Sequence, residues 1–155
     1  TLWNVDLHSH TKWSKDCLTE FEEIIKLAPK RGIDRIAITD HNTITQLADI
    51  AAQQRNFPKT LLIPGTEITT FLGHANVIGN TSVLDFQLGS SHLPTLAKLF
   101  DEAAAQDAFV SINHPGMPSG EIADQSQSIE NASRSRLDGI LESIYRPRPS
   151  PATRG

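Results

Sequence analysis

The stretch Val5-Asp6-Leu7-His8-Ser9-His10-Thr11 places two histidines two residues apart at the end of a short apolar segment near the N-terminus. In a strand successive side chains alternate faces, so His8 and His10 are expected on one face with Leu7 packed on the other. Two imidazoles then converge on one point. Taken alone, the pair fits a hydrogen-bonded, partly buried histidine as well as it fits a metal site. The rest of the chain shifts that balance, because His41, Glu67, His74 and His114 each recur in or just after another strand-like run.

The 155 residues suit one domain, or a piece of a larger one, and are enough to bury a core. A net charge of -4 argues against an electrostatic nucleic-acid binder, which needs a clustered basic face. Two divalent cations would add about four positive charges locally, so the acidic composition leaves phosphate substrates open. The single cysteine, Cys17, excludes an intrachain disulfide and a Cys-rich zinc knuckle and fits a reducing compartment. No run approaches the ~18 apolar residues of a membrane span and no signal peptide is visible, so a cytoplasmic protein away from membranes is expected. The chain opens on Thr1, which leaves a processed N-terminus open.

Taken in order, strand-like and helix-like segments alternate. Leu2 to Leu7 reads as the first strand. Thr19-Glu20-Phe21-Glu22 has a capping-box arrangement, followed by Phe21, Ile24, Ile25 and Ala28 at helical spacing, Pro29 near the end and Gly32 as the stop. Arg35 to Thr39 is the second strand, and Thr45 to Gln54 a helix with Leu47, Ile50 and Ala51 on one face. Thr60 to Ile63 opens a third strand that crosses Pro64-Gly65 into Thr66-Glu67-Ile68-Thr69. His74 to Ile78 pairs with it as a hairpin through Phe71-Leu72-Gly73. Pro94 to Gln106 is a helix, Phe109 to Asn113 a strand, and Leu137 to Ile144 a last candidate strand. Arg146-Pro147-Arg148-Pro149-Ser150-Pro151 can continue neither a sheet nor a helix and reads as an extended tail.

Such alternation predicts a parallel α/β arrangement with functional residues at the carboxyl ends of the strands. His8, His10, His41, Glu67 and His114 fall there. Neutral imidazoles and carboxylates are protein ligands of zinc, manganese and iron, and one carboxylate can bridge two ions. Paired ions acidify a shared water and clamp the attacking and leaving oxygens of a phosphoester, which makes a metal-activated water the nucleophile. No side chain competes for that role: there is no Gly-x-Ser-x-Gly elbow, and Cys17 lacks a thiol-protease context. Walker, Rossmann and His-Glu-x-x-His patterns are absent as well.

The ordered set Asp6-Leu7-His8-Ser9-His10-Thr11, Ser14-Lys15-Asp16, Ile38-Thr39-Asp40-His41-Asn42-Thr43, Pro64-Gly65-Thr66-Glu67-Ile68, Gly73-His74 and Asn113-His114-Pro115 resembles the successive motifs of the polymerase and histidinol phosphatase (PHP) superfamily, over about residues 3 to 144. The resemblance implies a distorted (β/α)7 barrel holding two or three divalent ions (zinc, manganese or iron). It also implies a phosphoesterase of the phosphatase or nuclease type, acting on a small-molecule or nucleotide phosphoester. The ligands it implies are His8, His10, Asp16, His41, Glu67, His74 and His114. Glu67 would be the bridge, and Asp16 stands where some relatives carry a histidine. Glu67 and Asp40 are the implied catalytic carboxylates, Asp40 by orienting a neighbouring ligand.

The segment 113–121, Asn-His-Pro-Gly-Met-Pro-Ser-Gly-Glu, is similar to a branch associated with amide or carbamate hydrolysis, the alternative activity. His92 matches no motif and is expected at the surface near a helix start. Arg134, Arg136, Arg146 and Arg148 read as a solvated cluster or as contacts for a substrate phosphate.

The superfamily usually completes its site with a late Asp-x-His pair, and no histidine follows His114 here. About five of the seven strands can be counted. The expectation is therefore an incomplete barrel over 1–145, lacking the C-terminal part of the domain, followed by a Pro/Arg-rich tail at 146–155. A fragment fits better than a reduced site, because an open half-barrel exposes strand edges. A catalytically degenerate metal-binding domain is the non-enzymatic alternative.

Overall fold

The computed structural model describes residues 2–93 and 95–114. The strand expected at 137–144, the tail at 146–155 and the four late arginines lie outside these residues. The described elements run β1 (Val5–Ser9), α1 (Phe21–Leu27), β2 (Arg35–Ile38), α2 (Gln46–Gln53), β3 (Leu61–Thr70), β4 (Gly73–Ile78), α3 (Leu96–Ala104) and β5 (Phe109–Ile112). No helix among these residues is long and apolar enough to cross a membrane.

One sheet holds all five strands in the order β1-β2-β3-β4-β5. β1 pairs with β2, and β2 with β3, in parallel, as expected for strands joined through α1 and α2. β4 is antiparallel to β3, as the expected hairpin requires, and the parallel arrangement expected of the remaining strands is corrected at β5, which runs antiparallel to β4. Phe71 and Leu72 alone join β3 to β4, too short a link for a crossover and long enough only for a hairpin. The result is a mixed, incomplete barrel.

β3 belongs to both halves. Leu61 to Pro64 pair with β2, and Gly65 to Thr70 pair with β4, so the strand changes partners at Pro64-Gly65. Proline has no N–H to give a ladder and suits this junction, where its carbonyl accepts the Gly79 N–H at 2.7 Å. Glu67 thus lies beyond the parallel ladder although it is well inside a ten-residue strand.

Side-chain alternation divides the core. Ile36, Ile38 and Leu62 pack under α1 and α2 with Phe21, Ile25, Ala28 and Ile50. Ile68, Ala75, Val77 and Val110 pack under α3 with Leu99 and Ala103. Ala37, Ile63 and Ile78 face the other side of the sheet, with Leu7, Leu61 and Phe109 against them. By period-two alternation Glu67 follows Ile63 and Asn76 precedes Ile78 on that same face. Leu7 therefore does not turn away from the site face. Between Asp6 and Ser9 the register slips, three steps on β1 matching two on β2, and this bulge turns His8 toward the face that Leu7 already occupies.

Two further expectations shift. The first strand starts at Val5, not Leu2, because its ladder begins at Val5 opposite Arg35. The Thr19 capping box does not form. Glu20 is the N-cap without a side-chain bond, and the Thr19 carbonyl is engaged by the Lys12 N–H at 2.8 Å. α1 stops before Pro29, which opens a 3₁₀ turn ending on Gly32 at a left-handed φ of 71°. At α3 the Thr95 hydroxyl accepts the Lys98 N–H at 3.3 Å and caps the helix.

Candidate metal centre

Glu67 is fully buried, at 0% exposure, and five imidazoles gather on its carboxylate. Oε2 lies 3.0 Å from His8 Nε2, 3.0 Å from His10 Nε2 and 3.5 Å from His41 Nδ1. Oε1 lies 3.0 Å from His74 Nδ1 and 3.6 Å from His114 Nε2. β1 supplies His8, the turn after it His10, and the turn after β2 His41, which bridges in parallel to Glu67. β4 supplies His74, opposite Thr69, and the residues after β5 supply His114. His114 holds its backbone at φ +40°, a strained position for a non-glycine residue and one of the kind that clusters at functional sites.

Two convergences share the one carboxylate. His8, Glu67 and His114 offer ligand atoms within 4.8 Å of one another, and so do His10, His41 and Glu67. The rings stack in the same pairings, His8 with His114 at 5.5 Å and His10 with His41 at 4.5 Å between centroids. His74 belongs to neither group. A carboxylate can only accept, so His74 donates through Nδ1 to Glu67 Oε1. Asp16 also stands outside both groups, mostly exposed, with Oδ2 at 3.3 Å from His41 Nε2. His92 is exposed at the surface ahead of α3.

Asp40 is fully buried and touches no imidazole directly. It accepts the Thr11 N–H at 2.7 Å, the Thr11 hydroxyl at 2.8 Å and the Ser14 hydroxyl at 2.7 Å. Ser14 in turn meets His10 Nδ1 at 3.0 Å.

Several residues that frame the cluster carry no assignment from the sequence. The Asn113 amide donates to Glu67 Oε1 at 2.7 Å and to Asn76 Oδ1 at 2.8 Å, and Asn76 donates onward to the Leu7 carbonyl at 3.0 Å. Asn42 clasps β3 by accepting the Thr69 N–H at 2.8 Å and donating to the Thr69 carbonyl at 3.1 Å. The Thr69 hydroxyl meets His41 Nδ1 at 2.6 Å. The available signal was their position, one residue from His41 or His114, or two from Glu67 or His74.

Burial pushes the Glu67 carboxyl up, but hydrogen bonds from His10, Asn113 and His8 outweigh it and hold the group well below the usual carboxylate range. The bond to Glu67 raises the His10 imidazole above its ordinary value, against a smaller opposing effect of burial.

The donor set suits a cation. The one hydrogen of the Ser14 hydroxyl goes to Asp40, so a neutral His10 must donate from Nδ1 and present a bare Nε2. That lone pair faces an anionic oxygen at 3.0 Å and a second imidazole nitrogen at 3.0 Å. Acceptors facing one another in a partly buried pocket are satisfied by a proton or by a metal ion.

An incomplete α/β barrel with imidazoles gathered on a buried carboxylate of its central strand defines the class. The PHP domain family model matches residues 6–145, and the chain belongs to the PHP domain family. It is 35% identical over 107 residues to an uncharacterised protein of Methanocaldococcus jannaschii, a match covering 63% of this chain and 61% of that protein. It is 41% identical over 66 residues to the 5'-3' exoribonuclease Rnm of Escherichia coli, covering 42% of this chain and 22% of the enzyme. Among solved structures it resembles a two-domain protein of Bacteroides vulgatus containing a predicted PHP-like metal-dependent phosphoesterase. That match has a TM-score of 0.61 and 26% identity, over 77% of this chain and 37% of the other. The chain thus spans less than two thirds of each of these relatives.

Proposed function

We propose that this chain carries the metal centre of a metal-dependent phosphoesterase acting on a small-molecule or nucleotide phosphoester. The observation that carries the reading is Glu67, a buried carboxylate shared by two groups of imidazoles. His8 and His114 with Glu67 would hold one divalent ion, and His10 and His41 with Glu67 a second. Asp16 and His74 flank them at His41 and Glu67. Divalent ions there would supply a water acidic enough to attack at neutral pH and positive charge for the phosphoryl oxygens.

The chain's own part is to keep Glu67 ionised, to present unprotonated nitrogens, and to fix both carboxylate oxygens. Asn113 and His74 hold Oε1, while His8 and His10 lie against Oε2. One carboxylate among five neutral rings leaves two divalent ions with net positive charge, which suits an anionic phosphoester. A predicted phosphoesterase in the B. vulgatus relative and an exoribonuclease in E. coli support this class of substrate.

The test is hydrolysis of a nucleotide and of a simple phosphomonoester by the chelator-treated chain, before and after manganese or zinc is restored. Restored turnover that His8→Ala and Glu67→Ala abolish is the expected result. Turnover unchanged in both variants overturns the reading. Cleavage of aryl carbamates alone would assign the amide and carbamate branch instead, and metal binding without turnover on any substrate would make this a binding domain.

A further inference from the structure

We infer that Ser14 is a positioning residue that sets which nitrogen His10 presents and pins the backbone of His41, so that it acts directly on the His10 and His41 group and reaches the other only through the 3.0 Å contact of His10 with His8. The inference rests on the metal-centre reading above. Ser14 lies between β1 and α1, only 2% exposed. Its single hydrogen goes to Asp40 Oδ1 at 2.7 Å, and a carboxylate gives none back. Asp40 is itself fixed by the two bonds it accepts from Thr11.

Both remaining lone pairs of the Ser14 oxygen are used. One accepts the His41 backbone N–H at 3.0 Å, and the other meets His10 Nδ1 at 3.0 Å. The second bond exists only if Nδ1 carries the proton. One hydroxyl thus orients two residues of the same convergence, His10 through its tautomer and His41 through its main chain. Among the described residues its partners are Asp40, His10 and His41, and the hydroxyl reaches neither His8 nor His114.

A tautomer held in this way spares the ligand the cost of choosing when an ion arrives. Partners of this kind typically change metal affinity by about 10- to 100-fold. A residue that merely fills space would act on both groups alike, through the shared Glu67. That difference separates positioning from packing.

The experiment is a zinc titration of the whole chelator-treated chain and of Ser14→Ala, read by calorimetry and by nitrogen NMR of the histidine rings. The wild type is expected to take up two ions, with His10 carrying its proton on Nδ1 throughout. In Ser14→Ala the ion read at His10 and His41 weakens by about 10- to 100-fold, while the ion read at His8 and His114 stays within about threefold. The His10 ring then shows both tautomers. Equal affinities for both ions in the two proteins overturn the inference, and so does a zinc-loaded wild type whose His10 carries its proton on Nε2. Loss of both ions together in the variant would make Ser14 a packing residue and overturn it as well. A wild type that binds no zinc at all would instead remove the metal-centre reading and this inference with it.

Discussion

Replacing Glu67 by glutamine keeps the volume of a side chain that is 0% exposed and removes its charge, which makes it a clean test of the cluster's electrostatics. In chelator, wild-type Glu67 and protonated His10 form a charge-assisted bond at 3.0 Å, worth about 1.5–3 kcal/mol. The His10 pKa is raised in the folded protein, so this contribution is complete below its unfolded value of about 6.5 and is lost as pH rises through the folded value. At pH 6 the wild type should therefore melt roughly 3–12 °C above Glu67→Gln, taking about 2–4 °C per kcal/mol for a domain of this size. At pH 9 the advantage should vanish or reverse, because a glutamine N–H can then meet the bare His10 Nε2.

With zinc the order is unambiguous. Even a unit charge pair 4 Å apart at an effective dielectric constant of about 20 is worth about 4 kcal/mol, so loss of the shared anion weakens each divalent ion by at least about a thousandfold. The zinc-induced rise in melting temperature should disappear in the variant. The assay is thermal unfolding of both proteins at pH 6 and 9, with chelator and with zinc. A wild-type advantage in chelator that is the same at both pH values would refute the electrostatic account of the cluster.

Other perturbations separate the site from its scaffold. Asn113→Ala leaves Glu67 Oε1 held by His74 alone and Asn76 Oδ1 without its donor, so zinc affinity at both ion groups should fall about 10- to 100-fold, as calorimetry would show; unchanged affinity contradicts a role for the amide. Gly65→Ala puts a Cβ 2.9 Å from Thr39 Cγ2 and 3.1 Å from the Val77 carbonyl oxygen, which should cost about 1–3 kcal/mol by denaturant unfolding, with an unchanged midpoint as the contrary result. Leu99→Ala empties a site 1% exposed in the core under α3 and should cost about 2–5 kcal/mol while zinc affinity is retained; a parallel loss of zinc would mean that this core and the cluster are not independent.

The fold was legible where the signal is local. Helical spacing announced α1, α2 and α3, Gly32 marked a left-handed stop, and the short Phe71-Leu72 link announced a hairpin. The direction of β5 was not, because a strand reached through a long connection can add to an edge either way, and pairing with β4 decides it. The Thr19 cap failed for a similar reason: a distant partner, the Lys12 N–H, holds the carbonyl that a capping turn would have placed differently. At the site, residue type and strand-end placement singled out the histidines and Glu67. Alternation gave the wrong side for Leu7, since a bulge leaves no trace in residue type. Ser14, Thr69, Asn76 and Asn113 act through bonds to residues 4 to 69 positions away, and an ordinary serine or asparagine carries no mark of that partner.

Anomalous diffraction from crystals of the zinc-loaded chain tests the central claim most directly, because it reports ion positions and ligands together. Two peaks are expected, one ringed by His8, His114 and Glu67 and the other by His10, His41 and Glu67, with the Glu67 carboxylate touching both. Zinc bound elsewhere, or peaks that Glu67 does not touch, would contradict the account.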